Sequence, residues 1–438
     1  MARQGDLPGL FVSGSRLLSR PVWGRGRKAT REGRGMAGQG EGQRPATRAL
    51  DGGLRPDPVT GAIAPGISMS VNNLFVPGEA GFSAEGADLT EQPFLYARWT
   101  NPTVRDLECR LAALEGAEDA MAAATGVGAI AAVFLGLLKA GDHLIVSDVC
   151  YAGAFELATR VLTDLGIAVT PVNLSDLAAA EAAIRPETRL IHAETPCNPI
   201  LRLTDLAALS ALAHARGVLV SVDSTLATPV ITRPLEHGVD LVIHSLTKFM
   251  NGHGDALGGA VIGRRELVSA IRSRAGVYLG ATLSAQNAWL ILRGLDTLFP
   301  RIRTACATAG VLARHLQGHP GVSAVCWPGL ESHPQRALVA RQMDLPGAMV
   351  TFQCPDAPAV ARRMAERFRT IHYAFSLGHQ RSLCVLIGTE EIQASTYRME
   401  GAALEDWRAW AGEGVFRLSV GLEDPEDLIE DLDRVLAG

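Results

Sequence analysis

The stretch LVIHSLTKFMNGHGD, residues 241–255, contains an apolar run that stops shortly before a lysine. The run, residues 241–245, is short and apolar, a pattern that indicates a buried strand. Lys248 follows it among small hydroxyl residues and glycines. In open α/β sheets, ligands bind outside the carboxyl ends of the strands. The stretch therefore predicts both a strand of such a sheet and a lysine at its ligand-binding edge.

Similar apolar runs elsewhere in the chain alternate with helical patterns. The predicted strands are HLIVSD (143–148), RLIHAET (189–195), VLVSVDS (218–224) and GGAVIG (258–263). Helical windows between them include residues 152–165 and 204–216. A further helix is predicted from a threonine cap at Thr103 to a stop at Gly116. This alternation predicts an α/β fold with a mainly parallel sheet that is covered on both faces.

Two regions lie outside this alternation. Residues 284–438 begin with a long helical stretch, 284–317, and continue with short strands and helices, which predicts a smaller C-terminal α/β domain. Residues 1–45 are rich in arginine and glycine and lack an apolar pattern that could fold. Two interpretations of them stay open. They form either a disordered tail that resembles an organellar transit peptide in composition, or an over-extended start with Met36 as the initiator.

The composition argues against several classes of function. The formal net charge of −5 gives no basic excess that would favour nucleic acid or an anionic membrane surface. The uncharged residues 120–138 are interrupted by glycines, so they predict a buried strand, turn and helix instead of a membrane span. The seven cysteines include no C-x-x-C pair, which predicts reduced thiols of a cytoplasmic protein and no metal site.

Lys248 is one of only three lysines among 41 basic residues. Lys139 ends a predicted helix, where a cation suits the helix dipole, and Lys28 lies in the N-terminal tail. A lysine at a sheet edge in partly apolar surroundings has a lowered pKa and becomes a nucleophile toward aldehydes. Pyridoxal 5'-phosphate (PLP) is the aldehyde cofactor that uses such a lysine. A purely structural lysine is the alternative.

Two groups of small residues could bind the phosphate of such a cofactor. Ser245 and Thr247 flank the lysine, and their hydroxyls can form hydrogen bonds with phosphate oxygens. The segment ATGVGAI, residues 124–130, is predicted to turn from a strand into a helix, where free amides and the helix dipole favour an anion. Tight packing of a strand-to-helix turn also selects glycine. The alternative for this second group is therefore that its glycines serve packing and not phosphate binding.

Acidic residues end two of the predicted strands. Asp223 closes VLVSVD, so its carboxylate would emerge at the same edge as Lys248. A carboxylate there would keep a pyridine nitrogen protonated, and the charged ring would then accept electrons. Glu194, at the end of another predicted strand, is the alternative candidate for this carboxylate. It precedes a proline-rich turn, however, in which Asn198 is placed to donate to the phenolic oxygen of the cofactor. A turn or helix cap is the structural alternative for Asp223.

Two further residues could contact the cofactor or the substrate. Tyr151 follows a predicted strand, and an aromatic side chain there could lie over a planar ring. Arg417 alternates with apolar residues in GVFRLSVGLED, so it points away from their shared face. An arginine on an apolar strand needs an anion, and a substrate carboxylate suits its two-pronged geometry. A buried salt bridge is the alternative for Arg417.

Together these residues resemble a known family. The motifs that carry the resemblance are, in order, YARWTNPT (96–103), ATGVGAI (124–130), CYAGAF (150–155), ETPCNP (194–199), VDST (222–225), SLTKFMNGHGD (245–255), FSLG (375–378) and FRLSVGLED (416–424). They are similar to motifs of the Cys/Met-metabolism family of PLP-dependent enzymes. That family includes cystathionine γ-synthase, cystathionine γ- and β-lyases, methionine γ-lyase and homoserine sulfhydrylases.

The resemblance implies an aspartate-aminotransferase-like subunit of PLP fold type I, with a mainly parallel sheet of the seven-stranded type. Residues 46–102 would be an N-terminal arm that contributes to the site of the neighbouring subunit. Residues 103–283 would form the large PLP-binding domain, and residues 284–438 would form the C-terminal domain. The subunits would assemble into a homotetramer, built as a dimer of dimers.

The resemblance also implies roles for the residues of the motifs. Lys248 would bind the aldehyde of the cofactor covalently and would act in catalysis together with Tyr151. Arg417 and Ser376 would bind the substrate carboxylate. The other implied cofactor-binding residues are Tyr96 and Arg98 from the neighbouring subunit, Gly126, Val127, Ser245 and Thr247 at the phosphate, Tyr151 on the ring, Asn198 at the phenolic oxygen, and Asp223 at the pyridine nitrogen.

Three positions depart from the family pattern. Val127 replaces a methionine, which is harmless if only its amide is used. Gly153 stands where methionine γ-lyases typically have a cysteine. Arg381, in SLGHQRSL, stands where many members have a glutamate near the distal end of the substrate. This reversal of charge predicts an altered choice of substrate, with Arg381 among the substrate-binding residues.

The predicted activity is γ-replacement or γ-elimination on a homoserine ester or a sulfur amino acid, as in cystathionine γ-synthase. Cystathionine or methionine γ-lyase activity, or β-lyase activity, is the alternative. A PLP-binding module without catalysis is a hypothesis of a different class, although it would have no use for a carboxylate-binding arginine. A nicotinamide-dependent oxidoreductase is a third hypothesis, but no G-x-G-x-x-G follows the first predicted strand.

Overall fold

The computed structural model describes residues 43–437, except residues 53, 55, 79, 80, 82 and 85–87. Residues 1–42 lie outside the described residues, so the structure does not test the prediction for the segment 1–45. The first described helix, α1 (Pro45–Asp51), begins at the end of that segment. No helix in the described part of the chain is long and apolar enough to cross a membrane.

A sheet of seven strands forms the centre of the large domain. Its strands are β1 (Asp119–Ala123), β2 (His143–Ser147), β3 (Ala168–Val172), β4 (Thr188–Glu194), β5 (Leu219–Asp223), β6 (Leu241–His244) and β7 (Gly259–Gly263). Their order across the sheet is β1-β7-β6-β5-β4-β2-β3. Strand β7 runs antiparallel to both of its neighbours, and the other pairs are parallel. The prediction of a mainly parallel sheet is confirmed.

The pattern of burial explains which strands could be recognised. Strands β2 and β6 are buried along their whole length, as continuous apolar runs predict for strands that are covered on both faces. Strand β3 was not predicted, because it is largely exposed and contains Pro171. It forms the edge of the sheet, a position that tolerates a proline because one side of the strand needs no hydrogen-bond donor.

Helices cover both faces of this sheet and one face of a second one. After α1, the helices are α2 (Pro102–Glu115), α3 (Gly126–Leu137), α4 (Ala152–Glu156), α5 (Leu177–Ala183), α6 (Leu206–His214), α7 (Thr228–Ile231), α8 (Arg265–Ile271), α9 (Val277–Leu279), α10 (Ala285–Leu295), α11 (Leu298–Gly318), α12 (Arg336–Gln342), α13 (Ala357–Arg367), α14 (Thr389–Ile392), α15 (Gly401–Ala411) and α16 (Pro425–Leu436). Segments Leu157–Leu162, Arg272–Gly276 and Gln393–Tyr397 are π-helical, and Pro234–His237 is a 3₁₀ turn.

Helix α2 begins two residues earlier than the predicted cap at Thr103 would place its start. The Asn101 side chain accepts hydrogen bonds from the amides of Thr103 and Val104, so the cap is this asparagine and the predicted threonine cap is wrong. Pro102 occupies the first helical position, where its missing amide hydrogen has no consequence. Gly116 ends the helix in the left-handed conformation, with φ 70°, as predicted.

The second sheet belongs to the C-terminal part of the chain. Its strands are β8 (Ala324–Cys326), β9 (Met349–Gln353), β10 (His372–Tyr373), β11 (Leu383–Gly388) and β12 (Gly414–Ser419), in the order β10-β11-β12-β9-β8. Helices α11, α13 and α16 pack together around it, and their apolar residues share one core with Phe352 and Phe416 of the strands. Strands and helices therefore both occur after residue 284, and a separate smaller domain there stays a prediction.

The long helical stretch predicted over residues 284–317 consists of two helices, α10 and α11. The chain breaks between them because the carbonyl of Gly294 accepts hydrogen bonds from the Thr297 amide at 3.3 Å and from Arg301 Nη2 at 2.8 Å. The first half of α11 contributes Ile302 to the core beneath the large sheet, and the second half contributes Leu312 to the C-terminal core. One helix thus connects the two cores, and the boundary at residue 284 stays a prediction.

Candidate active site

The carboxyl ends of the parallel strands surround a cavity of about 280 Å³. Nine of the residues singled out in the sequence line it: Gly126, Val127, Tyr151, Glu194, Asn198, Asp223, Ser245, Thr247 and Lys248. They come from five separate segments of the chain, each of which follows a strand of the large sheet. The sheet therefore brings together the residues that the positions of the strand ends predicted to be neighbours.

Lys248 is half buried at this edge, in the turn after β6. Its Nζ donates a hydrogen bond to Ser376 Oγ over 2.8 Å, although the two residues are 128 positions apart. Burial, followed by the positive charge of Arg417, lowers the pKa of Lys248. A lowered pKa leaves more of the amine in its neutral, nucleophilic form at neutral pH.

Arg417 lies on β12, and its guanidinium is close to Ser376. Its Nη1 donates to Asn198 Oδ1 at 2.8 Å, and its Nη2 donates to the Ser376 carbonyl at 2.9 Å. Nε is buried without a hydrogen-bond partner, and no described carboxylate forms an ion pair with this arginine. The predicted alternative, a buried salt bridge, is therefore absent from the described residues. A buried arginine with neutral partners is well suited to bind an anion.

Two buried carboxyl groups lie next to each other at the ends of β4 and β5. Glu194 accepts hydrogen bonds from the amides of Tyr151 at 2.6 Å and Asn198 at 2.7 Å, one on each oxygen. Asp223 accepts from the Thr225 amide at 3.0 Å. Burial raises the pKa of both carboxyl groups, and the negative charge of Asp223 adds to the effect on Glu194. Since both oxygens of Glu194 already hold the backbone, Asp223 is the carboxyl group better placed to meet a cationic ligand.

The first turn of α3 forms a narrow recess against the Lys248 segment. Thr125 caps this helix by accepting a hydrogen bond from the Gly128 amide at 3.0 Å, which leaves Gly126 and Val127 in the open first turn. A Cβ atom at position 126 would lie 2.8 Å from the Ser245 Cβ atom. Only glycine therefore allows this close approach between the helix start and Ser245.

Thr247 is turned toward Gly258 instead of the cavity centre. Its hydroxyl donates to the Gly258 carbonyl at 3.2 Å and accepts from the Gly258 amide at 3.1 Å. To donate to a phosphate, this hydroxyl would have to release the carbonyl. The neighbouring Ser245 is held by its amide, which donates to Thr225 Oγ1 at 2.8 Å and leaves the Ser245 hydroxyl available.

Tyr151 lies at the mouth of the cavity and is 44% exposed. A Cβ atom at position 153 would come within 2.7 Å of Cε1 in its ring, so Gly153 makes room for the tyrosine. A cysteine at this position, which the resemblance associates with methionine γ-lyases, would require the Tyr151 ring to move. The ring therefore occupies space that a larger residue at position 153 would take.

Tyr96 and Arg98 are not brought to this cavity. Both are exposed, and the Arg98 guanidinium carbon lies 5.6 Å from the centre of the Tyr96 ring. Arg98 Nη1 donates to the Val277 carbonyl at 3.1 Å. Within the described part of this chain, neither residue lines the cavity that contains Lys248. This placement is compatible with the expectation that they serve a neighbouring subunit.

The segment 375–381 carries the remaining predicted residues and one that the sequence reasoning missed. Ser376 has a positive φ of 87° and contacts both Lys248 and Arg417. Arg381 is exposed and makes no ion pair with a described carboxylate. His379, which was not predicted, lies with its Nε2 atom 3.4 Å from Ser376 Oγ. The departure of SLGHQRSL from the family pattern was the signal that could have identified it.

The chain is similar to several known proteins. The model of the Cys/Met metabolism PLP-dependent enzyme family matches residues 46–437. The chain belongs to this family. The canavanine gamma-lyase of Pseudomonas canavaninivorans is 41% identical over 394 residues, which is 89% of this chain and 96% of that protein. The O-succinylhomoserine sulfhydrylase of Pseudomonas aeruginosa is 41% identical over 347 residues, 78% of this chain and 83% of that protein.

A solved structure gives the same result for the fold. The cystathionine gamma-lyase of Lactobacillus plantarum, crystallised with L-serine, superposes with a TM-score of 0.80 at 34% identity, covering 90% of this chain and 98% of that one. The expected α/β architecture of PLP fold type I is thereby confirmed. The chain is a PLP-dependent enzyme, and the hypotheses of a nicotinamide-dependent oxidoreductase and of a binding module without catalysis are set aside.

The residues of the cavity fit PLP. The recess at Gly126 lies at the start of a helix, where backbone N–H groups without partners inside the helix could donate to a phosphate. The buried carboxyl group of Asp223 would gain a cationic partner from a protonated pyridine nitrogen, and Lys248 would supply the amine. Among the described residues, no group of histidine, cysteine and acidic side chains could hold a metal ion.

Proposed function

We propose that this PLP-dependent enzyme eliminates or replaces the γ-substituent of an L-amino acid, with homoserine esters that carry an acidic or acyl group as the preferred substrates. The observation that carries the proposal is the position of Arg417, an unpaired buried guanidinium that shares Ser376 with the Lys248 amine. A substrate held by its carboxylate at Arg417 would have its Cα atom within reach of that amine. The names of the two relatives, a γ-lyase and a sulfhydrylase, support chemistry at the γ position.

The assignment of residues follows from this arrangement. When bound, PLP withdraws electrons from the substrate carbon next to the amine. Asp223 would keep the pyridine nitrogen charged, and Asn198, whose Oδ1 accepts from Arg417, would donate from Nδ2 to the phenolic oxygen. Gly126, Val127 and Ser245 would hold the phosphate. Thr247 would join them if its hydroxyl turned away from Gly258.

Two side chains would move protons. Lys248, whose pKa is lowered by burial and by Arg417, would remove the proton from Cα and transfer protons between Cα and its neighbouring carbons. Tyr151, at the mouth of the cavity, would protonate the leaving group on Cγ. Elimination would end with a 2-oxo acid and ammonia. In replacement, the sulfur of an incoming thiol would take the place of the leaving group at Cγ and form a thioether.

Arg381 supports the choice of an acidic leaving group. It is exposed, lies on the same segment as Ser376 and has no described carboxylate as a partner. A guanidinium at this position would attract the distal carboxylate of a succinyl ester and would repel a distal ammonium such as that of cystathionine. The relative named canavanine gamma-lyase makes canavanine a necessary member of any substrate panel.

A comparison of substrates tests this proposal. The values of kcat/KM for O-succinylhomoserine, cystathionine, methionine and canavanine should be highest for O-succinylhomoserine. In Arg381→Glu, its advantage over cystathionine should fall about tenfold or more, from roughly 1.5–3 kcal/mol for a hydrogen bond to a charged group. Arg362→Glu on α13 makes the same change of charge away from the cavity and should leave the ratio unchanged. A strong preference of the wild-type enzyme for cystathionine or canavanine would reject the proposed substrate class.

The enzyme is also proposed to be a dimer of dimers in which the N-terminal arm reaches the neighbouring site. Several apolar side chains of this arm lie in water in the isolated chain, including Val59 at 90%, Ile63 at 85% and Leu74 at 98% exposure. Clusters of exposed apolar residues on one segment favour contact with another chain. Tyr96 and Arg98, which lie in the arm and miss the cavity of their own chain, would complete the partner's phosphate site.

A further inference from the structure

A hydrogen-bonded sequence of side chains leads from Lys248 to a histidine that the proposed function does not use. Lys248 Nζ donates to Ser376 Oγ at 2.8 Å, and Ser376 Oγ lies 3.4 Å from His379 Nε2. Because the lysine amine is the donor in the first contact, the serine oxygen is its acceptor. The serine hydroxyl proton is then free to be donated to His379 Nε2.

The loop after Lys248 is shaped to admit this ring. Gly254 has a φ of +71°, and a Cβ atom there would lie 2.8 Å from both Cε1 and Nδ1 of His379. A side chain at position 254 would therefore displace the imidazole from its place beside Ser376. On the other side, the segment that carries His379 is anchored by the Gly378 amide, which donates to Ser419 Oγ at 2.8 Å.

The charges around His379 favour the neutral imidazole that this arrangement requires. Burial, followed by the positive charges of Lys248 and Arg381, lowers the pKa of His379, while Asp255 opposes the shift. Asp255 is itself engaged, because its Oδ1 accepts from Asn251 Nδ2 at 2.9 Å. At neutral pH the ring is therefore mainly neutral, and in the tautomer with its proton on Nδ1 the Nε2 atom has a lone pair that can accept the serine proton.

We propose that His379 is a positioning residue, which accepts the hydroxyl proton of Ser376 and thereby fixes the serine oxygen as the hydrogen-bond acceptor of the Lys248 amine. A hydroxyl that donates to one group becomes a stronger acceptor for another. The histidine would thus hold the amine in place and stabilise its protonated form. This inference rests on the proposed role of Lys248, but it concerns contacts that the chain makes with its own residues.

Competitive labelling of lysines with acetic anhydride, read by mass spectrometry, tests the inference on the apo-protein. The chain offers an internal reference, because Lys139 is exposed and does not line the cavity. His379→Phe keeps a ring against Gly254 but has no acceptor, whereas His379→Gln keeps an acceptor. At neutral pH, labelling of Lys248 relative to Lys139 should rise roughly 2- to 10-fold in His379→Phe, the range of one lost hydrogen bond.

The glutamine variant separates a positioning role from a structural one. Labelling in His379→Gln should stay close to that of the wild type, because its side-chain oxygen can accept the Ser376 proton. The inference is overturned if His379→Phe labels like the wild type, or if His379→Gln labels like His379→Phe. A failure of the proposed function would look different: wild-type protein would not bind PLP at Lys248, whatever the labelling of the variants.

Discussion

At the scale of single residues, the surroundings of Lys248 distinguish it from the other lysines of the chain. Its amine is half buried, is held by Ser376 and lies near the positive charge of Arg417, and burial together with that charge lowers its pKa. Lys139, by contrast, is exposed at the end of α3. The low lysine content of the chain makes the retained Lys248 easy to recognise, but its reactivity comes from its neighbours.

Gly126 provides a residue-scale test of the phosphate recess. In Gly126→Ala, the new Cβ atom would lie 2.8 Å from the Ser245 Cβ atom, so the helix start must move away from Ser245. Overpacking of this kind costs about 1–3 kcal/mol, so the Kd for PLP should rise on the order of tenfold or more. Titration of the apo-protein with PLP, followed by absorbance, measures this change.

A matched control is available on α11. A Cβ atom added at Gly318 would meet no other atom within 4 Å, so Gly318→Ala should leave the Kd for PLP unchanged. If Gly126→Ala bound PLP as tightly as the wild type, the recess would not be the phosphate site. The two variants differ from the wild type by the same methyl group, so they separate the effect of position from that of the substitution.

The site residues differ in how far the sequence could reveal them. Lys248 and Asp223 were recognisable because each closes or follows a buried apolar run, and the edge of a parallel sheet brings such ends together. The contact between Lys248 and Ser376 spans 128 residues and depends on the backbone of segment 375–381, which no local pattern indicates. His379 was missed because a lone histidine in a loop has no periodicity to interpret, and only the departure of SLGHQRSL from the family pattern pointed to it.

At the scale of elements, a buried network of charges joins α2 to β1 and to the π-helical segment Arg272–Gly276. Glu108 pairs with Arg105 and with Arg272, each at 2.8 Å, and Arg105 also pairs with Asp119 at 2.8 Å. Burial alone would raise the pKa of Glu108, but Arg272 and Arg105 outweigh it and hold that pKa below its usual value. The carboxylate is therefore ionised at neutral pH.

Replacing Glu108 by glutamine should destabilise the fold. Glu108→Gln keeps an acceptor for the Ala122 amide but leaves Arg105 and Arg272 with Asp119 alone of their two shared carboxylates, a loss of about 3 kcal/mol in the free energy of unfolding. Urea titration of the apo-protein measures it. Glu181→Gln removes an exposed ion pair with Arg216 and should change stability by less than about 1 kcal/mol.

The pH dependence of the Glu108→Gln effect has a defined direction. Because the folded pKa of Glu108 is depressed, its contribution is fully present above the ordinary glutamate value of about 4.3 and is lost as the pH falls through the lower folded value. The difference in stability between the wild type and Glu108→Gln should therefore shrink at acid pH. A difference that stayed constant from neutral to strongly acid pH would contradict an ionised Glu108 in the folded protein.

Elements were predicted best where burial is continuous and worst at their junctions. Strands β2 and β6 and helix α2 follow from apolar patterns, whereas β3 is an exposed edge strand that lacks such a pattern. The break between α10 and α11 depends on Arg301, which reaches back to the Gly294 carbonyl. Helical periodicity continues through that break, so the sequence alone could not show it.

At the scale of the whole molecule, the exposed pair of Tyr96 and Arg98 in the arm supports the proposal that one chain does not contain a complete site. Arg98 contacts the Val277 carbonyl of its own chain and lines a surface recess separate from the Lys248 cavity. In a symmetric dimer each chain would lend these residues to the other. Each active site would then depend on two subunits.

Mixing two inactive variants tests this sharing of residues. Lys248→Ala and Arg98→Ala should each be nearly inactive alone, one lacking the amine and the other lacking a phosphate contact. If the variants are unfolded and refolded together, half of the dimers should be mixed, and one of their two sites would have both wild-type residues, which restores about a quarter of the wild-type activity. Absence of any recovery, with mixed dimers verified by mass spectrometry, would show that each chain completes its own site.

The most direct test of the covalent role of Lys248 is borohydride reduction of the PLP-saturated protein, followed by mass spectrometry of its peptides. With only three lysines in the chain, the position of the reduced cofactor is unambiguous. The structure predicts a phosphopyridoxyl group on Lys248 alone, and loss of both the label and the visible absorbance in Lys248→Ala. A label on Lys139 or Lys28, or an unmodified Lys248 in saturated protein, would contradict the central role assigned to this residue.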